Sequence, residues 1–297
     1  MGFLLPSPIQ KIESELLQQH DINLYIKRDD LIHPNVPGNK WRKLKYHFED
    51  ARQQGKNTIL TVGGAFSNHI TATAAACKEL GFRSIGIIRG DELNKNSNTA
   101  LQFAAQQGME LFFIDRMVYA KAKNDFALLC SHFNKQDFRN AYFVPEGGAT
   151  ELGRKGCAEL VDEIEEGLPG VDFDYIVCAC GTGTTIAGIA QNLKDYQQAI
   201  GIAVLNDESI YAQIKKASPE VNQLSIIHYP FGGYAKATPV LIKFIKDFYA
   251  EHHILLDYVY TGKMLFGLFD LIKEGELGNS TIVAVHTGGV MNANIFM

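Results

Sequence analysis

The sequence predicts an α/β fold of two lobes, each a parallel sheet covered by helices on both faces. Three observations carry this. From about residue 55, short apolar runs alternate with amphipathic ones. Several apolar runs end in glycine turns that open a helix, as at Gly63-Gly64, Gly147-Gly148 and Gly181 to Gly183. The 297 residues lie near the upper end of what one domain holds, which favours two lobes. Strands that are apolar throughout, and not at alternate positions, belong to sheets buried on both faces.

Taken in order, Pro6 to Lys11 is an extended lead-in and Ile12 to Leu17 an amphipathic patch. Ile22 to Lys27 alternates and suits a strand, followed by the charged triplet Arg28-Asp29-Asp30, a solvated loop or a structural ion pair. Pro34, Pro37 and Gly38 then form a loop feeding a helix, with Lys40 at the junction. Strands follow at Asn57–Val62, Ser84–Ile88, Glu110–Ile114 and Tyr142–Val144. The helices between them start at Ser67 and Asn98, and one long run covers Val118 to Phe133. After a helix from Leu152 to Glu165, strands at Tyr175–Cys180, Ala199–Leu205, Ile226–Tyr229 and Ser280–His286 alternate with helices at Ile186–Leu193, Ser209–Ala217, Pro239–Glu251 and Lys263–Lys273. The lobe boundary falls near residues 146–150.

Composition narrows the function. Hydrophobic residues make up 46% and charged residues 21%, with a net charge of −5 and no long basic block, so nucleic acid is not the expected partner. No apolar segment has membrane-spanning length, and the N-terminus lacks the basic flank and apolar core of a signal peptide. Cys77, Cys130, Cys157, Cys178 and Cys180 read as reduced, mostly buried thiols of a cytoplasmic protein. A single Cys-x-Cys pair is a poor metal signature, and no metal is expected.

Chemistry concentrates at five places. Lys40 stands at a helix start, where the positive end of the dipole disfavours its charged form; a neutral amine is what Schiff-base chemistry requires. Gly181-Thr182-Gly183-Thr184-Thr185, between a strand and a helix, is an anion cradle of backbone amides and hydroxyls suited to a phosphate. It is not a Walker loop, and Ile186 stands where a dinucleotide fingerprint has its third glycine. Ser67-Asn68-His69 opens a helix whose amides could hold a carboxylate, with Ser67 as its cap. Tyr260-Thr261-Gly262-Lys263 and His286-Thr287-Gly288-Gly289 place polar residues at strand ends, where ligands bind in open α/β sheets.

In this order the five motifs resemble the 1-aminocyclopropane-1-carboxylate deaminase / D-cysteine desulfhydrase family of pyridoxal-phosphate enzymes, of the tryptophan-synthase-β fold type. The resemblance runs from Pro6 to the end. It implies pyridoxal phosphate bound to Lys40, its phosphate in the Gly181–Thr185 loop and its phenolic oxygen near Asn68. Ser67, Asn68 and His69 would surround the substrate carboxylate. Tyr234 and Tyr260 match active-site tyrosines, and Thr261 and Thr287 lie where the pyridine nitrogen is met. A larger cofactor domain (1–47 and 147–297) and a smaller mobile domain (48–146) would close over a small amino acid in a homodimer.

The reaction so implied is a β-elimination that ends in hydrolysis to a 2-oxo acid and ammonia, with Lys40 as base at Cα. The deaminases have a Tyr-Glu-Gly-Lys pattern where this chain reads Tyr260-Thr261-Gly262-Lys263, which favours the desulfhydrase over cyclopropane ring opening. Phe66, Thr71 and Thr73 depart from frequent family residues and leave the shape of the carboxylate pocket open. A dinucleotide oxidoreductase or a non-catalytic binding protein are the rival readings, and neither accounts for Lys40.

Overall fold

In the computed structural model, residues 2–204, 210–219, 221–229 and 236–289 are described. The chain runs β1 (Ile9–Ile12), α1 (Glu15–Gln19), β2 (Asn23–Lys27), α2 (Gly38–Gln53), β3 (Thr58–Gly63), α3 (Asn68–Leu80), β4 (Arg83–Arg89) and α4 (Thr99–Gln106). It continues with β5 (Glu110–Ile114), α5 (Arg116–Ala122), α6 (Phe126–Phe133), α7 (Gln136–Asn140), β6 (Tyr142–Val144) and α8 (Glu151–Gly167). Then follow β7 (Tyr175–Cys180), α9 (Thr184–Ala190), β8 (Gln198–Ala203), α10 (Ile210–Ala217), β9 (Leu224–His228), α11 (Pro239–His252), α12 (Thr261–Lys273) and β10 (Thr281–Val285).

The chain divides into two units. One comprises His33–Gly156; the other is Phe3–Ile32 together with the chain from Cys157 onward. The division falls inside α8 and ahead of α2, whereas the sequence placed it at 47/48 and 146/147. The difference has a packing cause. Leu44, Phe48 and Ala51 of α2 are buried, and α2 packs against α3, so the helix that carries Lys40 belongs with the first unit.

The first unit holds a parallel sheet in the order β5-β4-β3-β6. Leu60, Val62, Ile85 and Ile87 pack on one face with Tyr119, Leu129 and Phe138 of α5 to α7. Ile88, Met109 and Ile70 share a second cluster with Ala74, Leu101 and Ala104 of α3 and α4. The long run expected from Val118 to Phe133 is two helices. Asp125 accepts a hydrogen bond from the Leu128 amide and starts α6 anew, after Asp115 has capped α5. A cap that competes with helix continuation breaks a helix that periodicity alone would extend.

The second unit holds a sheet in the order β1-β2-β10-β7-β8-β9, parallel except for the β1–β2 pair. Its strands bury both faces by alternation. Leu24, Ile26, Ile282 and Ala284 face one cluster with α11 and α12, while Val283, Val285, Ile176 and Cys178 face another with α8 and α9. This is the three-layer α/β arrangement that the apolar strands predict.

The triplet after β2 is a structural ion pair: Arg28 donates twice to Asp30, and buried Asp29 accepts the Ser7 hydroxyl at 2.6 Å. All five cysteines are buried free thiols. No described helix is long and apolar enough to cross a membrane.

Candidate active site

In the first unit, α2 begins after Pro37, whose carbonyl accepts the amides of Lys40 and Trp41 at 2.8 and 3.0 Å. Lys40 is thus in the first turn and half-buried. Ser67 is the N-cap of α3, and its Oγ accepts the His69 amide at 3.2 Å. The turn is tight, since a Cβ at Gly63 would fall 2.6 Å from Ile70 Cγ1 and 3.1 Å from Ser67 Oγ. Asn68 opens the helix and stays partly exposed, whereas Phe66 before it is 71% exposed.

His69 lies deeper than the sequence suggests, at 2% exposure. Its Nε2 is 2.9 Å from Thr61 Oγ1, and Thr61 donates to the Val144 carbonyl at 2.7 Å. The Thr61 proton being engaged, its oxygen accepts, so the His69 proton is on Nε2. Burial, reinforced by Lys40, Lys43 and His47, pulls His69 well below the usual histidine range. Lys40 and the Ser67-Asn68-His69 turn are therefore neighbours in one unit. Asn68, Ser67 and Lys40 present polar groups; a neutral His69 whose one N–H is donated to Thr61 has no donor for a carboxylate.

The second unit holds the other motifs. Gly183, at φ 77°, is the N-cap of α9 and provides no side-chain cap, so the first amides of that helix are open. A Cβ at Gly183 would lie 2.4 Å from Ile214 Cγ1, which ties the turn to glycine. Thr182 and Thr184 place their hydroxyl oxygens 3.3 Å apart, Thr185 is buried, and a Cβ at Gly181 would stand 3.4 Å from the Tyr260 ring. The cradle fits a phosphate: amides without a cap, hydroxyls beside them, and no room for a side chain at Gly183.

Thr261 differs from expectation. Its Oγ1 donates to Asp257 Oδ1 at 2.7 Å and accepts the Asp257 amide at 3.1 Å. Asp257 in turn accepts the amides of Val259, Tyr260 and Thr261, each at 2.8 Å. Both residues are buried, so Thr261 closes a reciprocal cap at the start of α12. Lys263 is buried beside them and drawn below the usual lysine range by that burial, which Asp257 opposes. Sequence reasoning missed Asp257, although an aspartate four residues ahead of a threonine at a helix start is a readable capping signal.

Thr287 follows β10 in a loop held by His286, whose Nε2 donates to the Leu255 carbonyl at 2.8 Å while Nδ1 accepts the Gly288 amide. A Cβ at Gly289 would lie 3.8 Å from Asp257 Oδ1, so the loop and the cap adjoin. Tyr234 lies outside the described residues.

A lysine at a helix start in one unit, and in the other an uncapped helix start whose glycine turn suits a phosphate, are features that an α/β enzyme using a phosphorylated carbonyl cofactor requires. Residues 3–288 match the family described as pyridoxal-phosphate dependent enzyme. The chain belongs to that family and has its tryptophan-synthase-β type of fold, with pyridoxal phosphate as cofactor. A Pyrococcus horikoshii protein, provisionally named a 1-aminocyclopropane-1-carboxylate deaminase, is 35% identical over 96% of this chain and 89% of its own. A Yersinia pestis protein named D-cysteine desulfhydrase is 33% identical over 95% and 91%. The crystal structure of an ACC deaminase homologue superposes with a TM-score of 0.83 at 31% identity, covering 98% of this chain and 92% of that one.

Proposed function

We propose that this chain is a lyase that removes a β-leaving group from a small amino acid, D-cysteine or a close analogue, and yields a 2-oxo acid and ammonia. The observation that carries the reading is the closed Asp257–Thr261 cap. A threonine hydroxyl already engaged by a carboxylate gives no acid to the ring nitrogen. Thr287, whose hydroxyl makes no hydrogen bond among the described residues, is left as its neutral partner. Ring opening of a cyclopropane, with no Cα proton and a carbon leaving group, needs stronger electron withdrawal than loss of sulfide does.

Pyridoxal phosphate, when bound, supplies the electron sink. Lys40 would hold its carbonyl carbon, the Gly181–Thr185 turn its phosphate, and Asn68 its phenolic oxygen. Released by substrate, the Lys40 amine takes the Cα proton. Ser67 and Asn68 hold the substrate carboxylate at the α3 start. Tyr260, and Tyr234 by family resemblance, would flank the reacting atoms. A cytoplasmic homodimer is the assembly this family leads us to expect, and sedimentation of purified protein tests the dimer.

The purified protein should be yellow, and borohydride should fix the cofactor on Lys40; an adduct mapped to Lys43 or Lys45 overturns the assignment. On one preparation, kcat/KM for D-cysteine should exceed that for 1-aminocyclopropane-1-carboxylate, since this ratio reports differential transition-state binding. The reverse order overturns the β-elimination reading. Lys40→Ala should abolish turnover with the fold intact.

A further inference from the structure

Asp257 enters the proposed function only as the partner of the Thr261 hydroxyl, yet that bond is a small part of what the residue holds. It is buried, and each of its polar groups is engaged with the residues that follow it. Its carbonyl accepts the Gly262 amide at 2.8 Å, and its own amide donates to Thr261 Oγ1 at 3.1 Å. Oδ2 accepts the amides of Val259 and Tyr260, both at 2.8 Å. Oδ1 accepts the amide of Thr261 at 2.8 Å and its hydroxyl at 2.7 Å.

An ordinary cap serves one or two amides with one oxygen. Four donors on two oxygens match the lone pairs of an ionised carboxylate and of no other side chain of this size. Asparagine has one acceptor oxygen, and its NH2 would be turned toward two donors. The bonds to Oδ1 and to the carbonyl already serve the first amides of α12. The Oδ2 pair does something else. It fixes Val259 and Tyr260, which stand ahead of the first helical residue.

Tyr260 is where this anchor meets the other motif of the unit. A Cβ at Gly181 would stand 3.4 Å from Tyr260 Cε1, so the ring rests on the glycine turn before α9. A Cβ at Gly289 would lie 3.8 Å from Asp257 Oδ1, so the loop that carries Thr287 abuts the same carboxylate. Apolar packing is the competing cause of the ring's placement, since Tyr260 also lies against the core shared by α11 and α12. Packing would not tell an aspartate from an asparagine at residue 257.

We propose that Asp257 is a positioning residue: its Oδ2, by holding the Val259 and Tyr260 amides, keeps the Tyr260 ring on Gly181. The inference deepens the function proposed above and rests on its reading of Tyr260 as a group beside the reacting atoms. The anchor acts on the main chain and uses no atom of the Tyr260 side chain.

The test reads the ring without cofactor or turnover. Full-length protein labelled with 3-fluorotyrosine has a fluorine resonance for Tyr260, identified by its absence in Tyr260→Phe. Gly181→Ala places a methyl against the ring and should move that resonance. In Asp257→Asn the resonance should broaden or divide, and Gly181→Ala should no longer move it. Thr261→Val keeps both Oδ2 bonds, so the response to Gly181→Ala should persist there. In the loaded enzyme, kcat/KM should fall about tenfold with Asp257→Asn, the loss expected of about one hydrogen bond. Added to Tyr260→Phe, the same substitution should cost less than about twofold more, because both act at one group. A resonance indifferent to Gly181→Ala in otherwise unaltered protein overturns the proposal, and this arm stands even where Asp257→Asn does not fold. So does a parent-like response in Asp257→Asn, its loss in Thr261→Val, or losses of kcat/KM that simply multiply. If no β-substituted amino acid is turned over while the fluorine results are as expected, the β-elimination reading fails and the placement of Tyr260 by Asp257 holds.

Discussion

Two turns of the same design sit in the two units, and they finish differently. Each follows a buried strand, runs through glycines and opens a helix. Before α3 the turn ends on Ser67, whose oxygen takes the His69 amide. Before α9 it ends on Gly183, a left-handed residue with no side chain to offer. The first turn has satisfied an amide internally and presents side chains to its guest. The second leaves amides unmatched until an anion arrives. On the function proposed above, the capped start would select the substrate and the uncapped one would hold the cofactor phosphate.

The largest expected effect tests that contrast directly. Gly183→Ala puts a Cβ 2.4 Å from Ile214 Cγ1 at a positive φ, a strain of about 1–3 kcal/mol, and relief by loop movement should weaken pyridoxal-phosphate affinity ~10–100-fold. Gly64→Ala in the other turn brings its Cβ only to 3.6 Å from Arg89 Nη2 and should leave affinity within about twofold. Equal losses in a fluorescence titration would erase the distinction between the turns.

Next comes acid sensitivity, which the first unit should show. Burial lowers His47 to about 4, against Asp50, which raises it. Tyr142 donates to Asp50 at 2.6 Å, so its oxygen accepts from His47 Nδ1, and Nε2 accepts from Thr150. A depressed folded pKa means full stability above about 6.5 and loss as pH falls toward 4, up to roughly 3 kcal/mol. His69 adds in the same direction. Amide exchange in α2 should quicken below pH 6 before that in the six-stranded sheet, and His47→Gln should flatten the dependence of Tm on pH. An unchanged slope would remove His47 from the account.

The smallest effect belongs to Ser67→Ala. Losing the cap should cost about 1 kcal/mol, raise KM and leave cofactor affinity unchanged. Cofactor loss at unaltered KM would reverse the roles of the two turns.

Strands and the helices beside them were legible because their apolar runs are continuous and their caps local. That Lys40, Ser67 and the Gly181–Thr185 turn stand at helix starts was legible for the same reason, each start being marked by local proline, serine or glycine. The rest depends on partners distant in the chain. His69 reads as a site residue until Thr61 of β3 accepts its Nε2–H, the Thr61 hydroxyl itself donating to the Val144 carbonyl of β6. Thr261 reads as a cofactor contact until Asp257 claims its hydroxyl. The break between α5 and α6 was local and still missed, since apolar periodicity runs through Asp125 and only its capping chemistry marks the stop. Assigning α2 to the first unit required its packing on α3.

Strand β10 has a consequence for biosynthesis. It lies between β2 and β7, paired in parallel with both, so a strand near residue 25 and one near residue 178 become neighbours only through residues 281–285. His33–Gly156 is one continuous stretch and has all its sheet partners once β6 has left the ribosome. The other unit must wait with two open strand edges until β10 is made, and such edges invite pairing with foreign chains. Nascent chains stalled before residue 281 should therefore hold a protease-resistant core of the first unit while β1, β2 and β7 to β9 remain cleavable and engage chaperones.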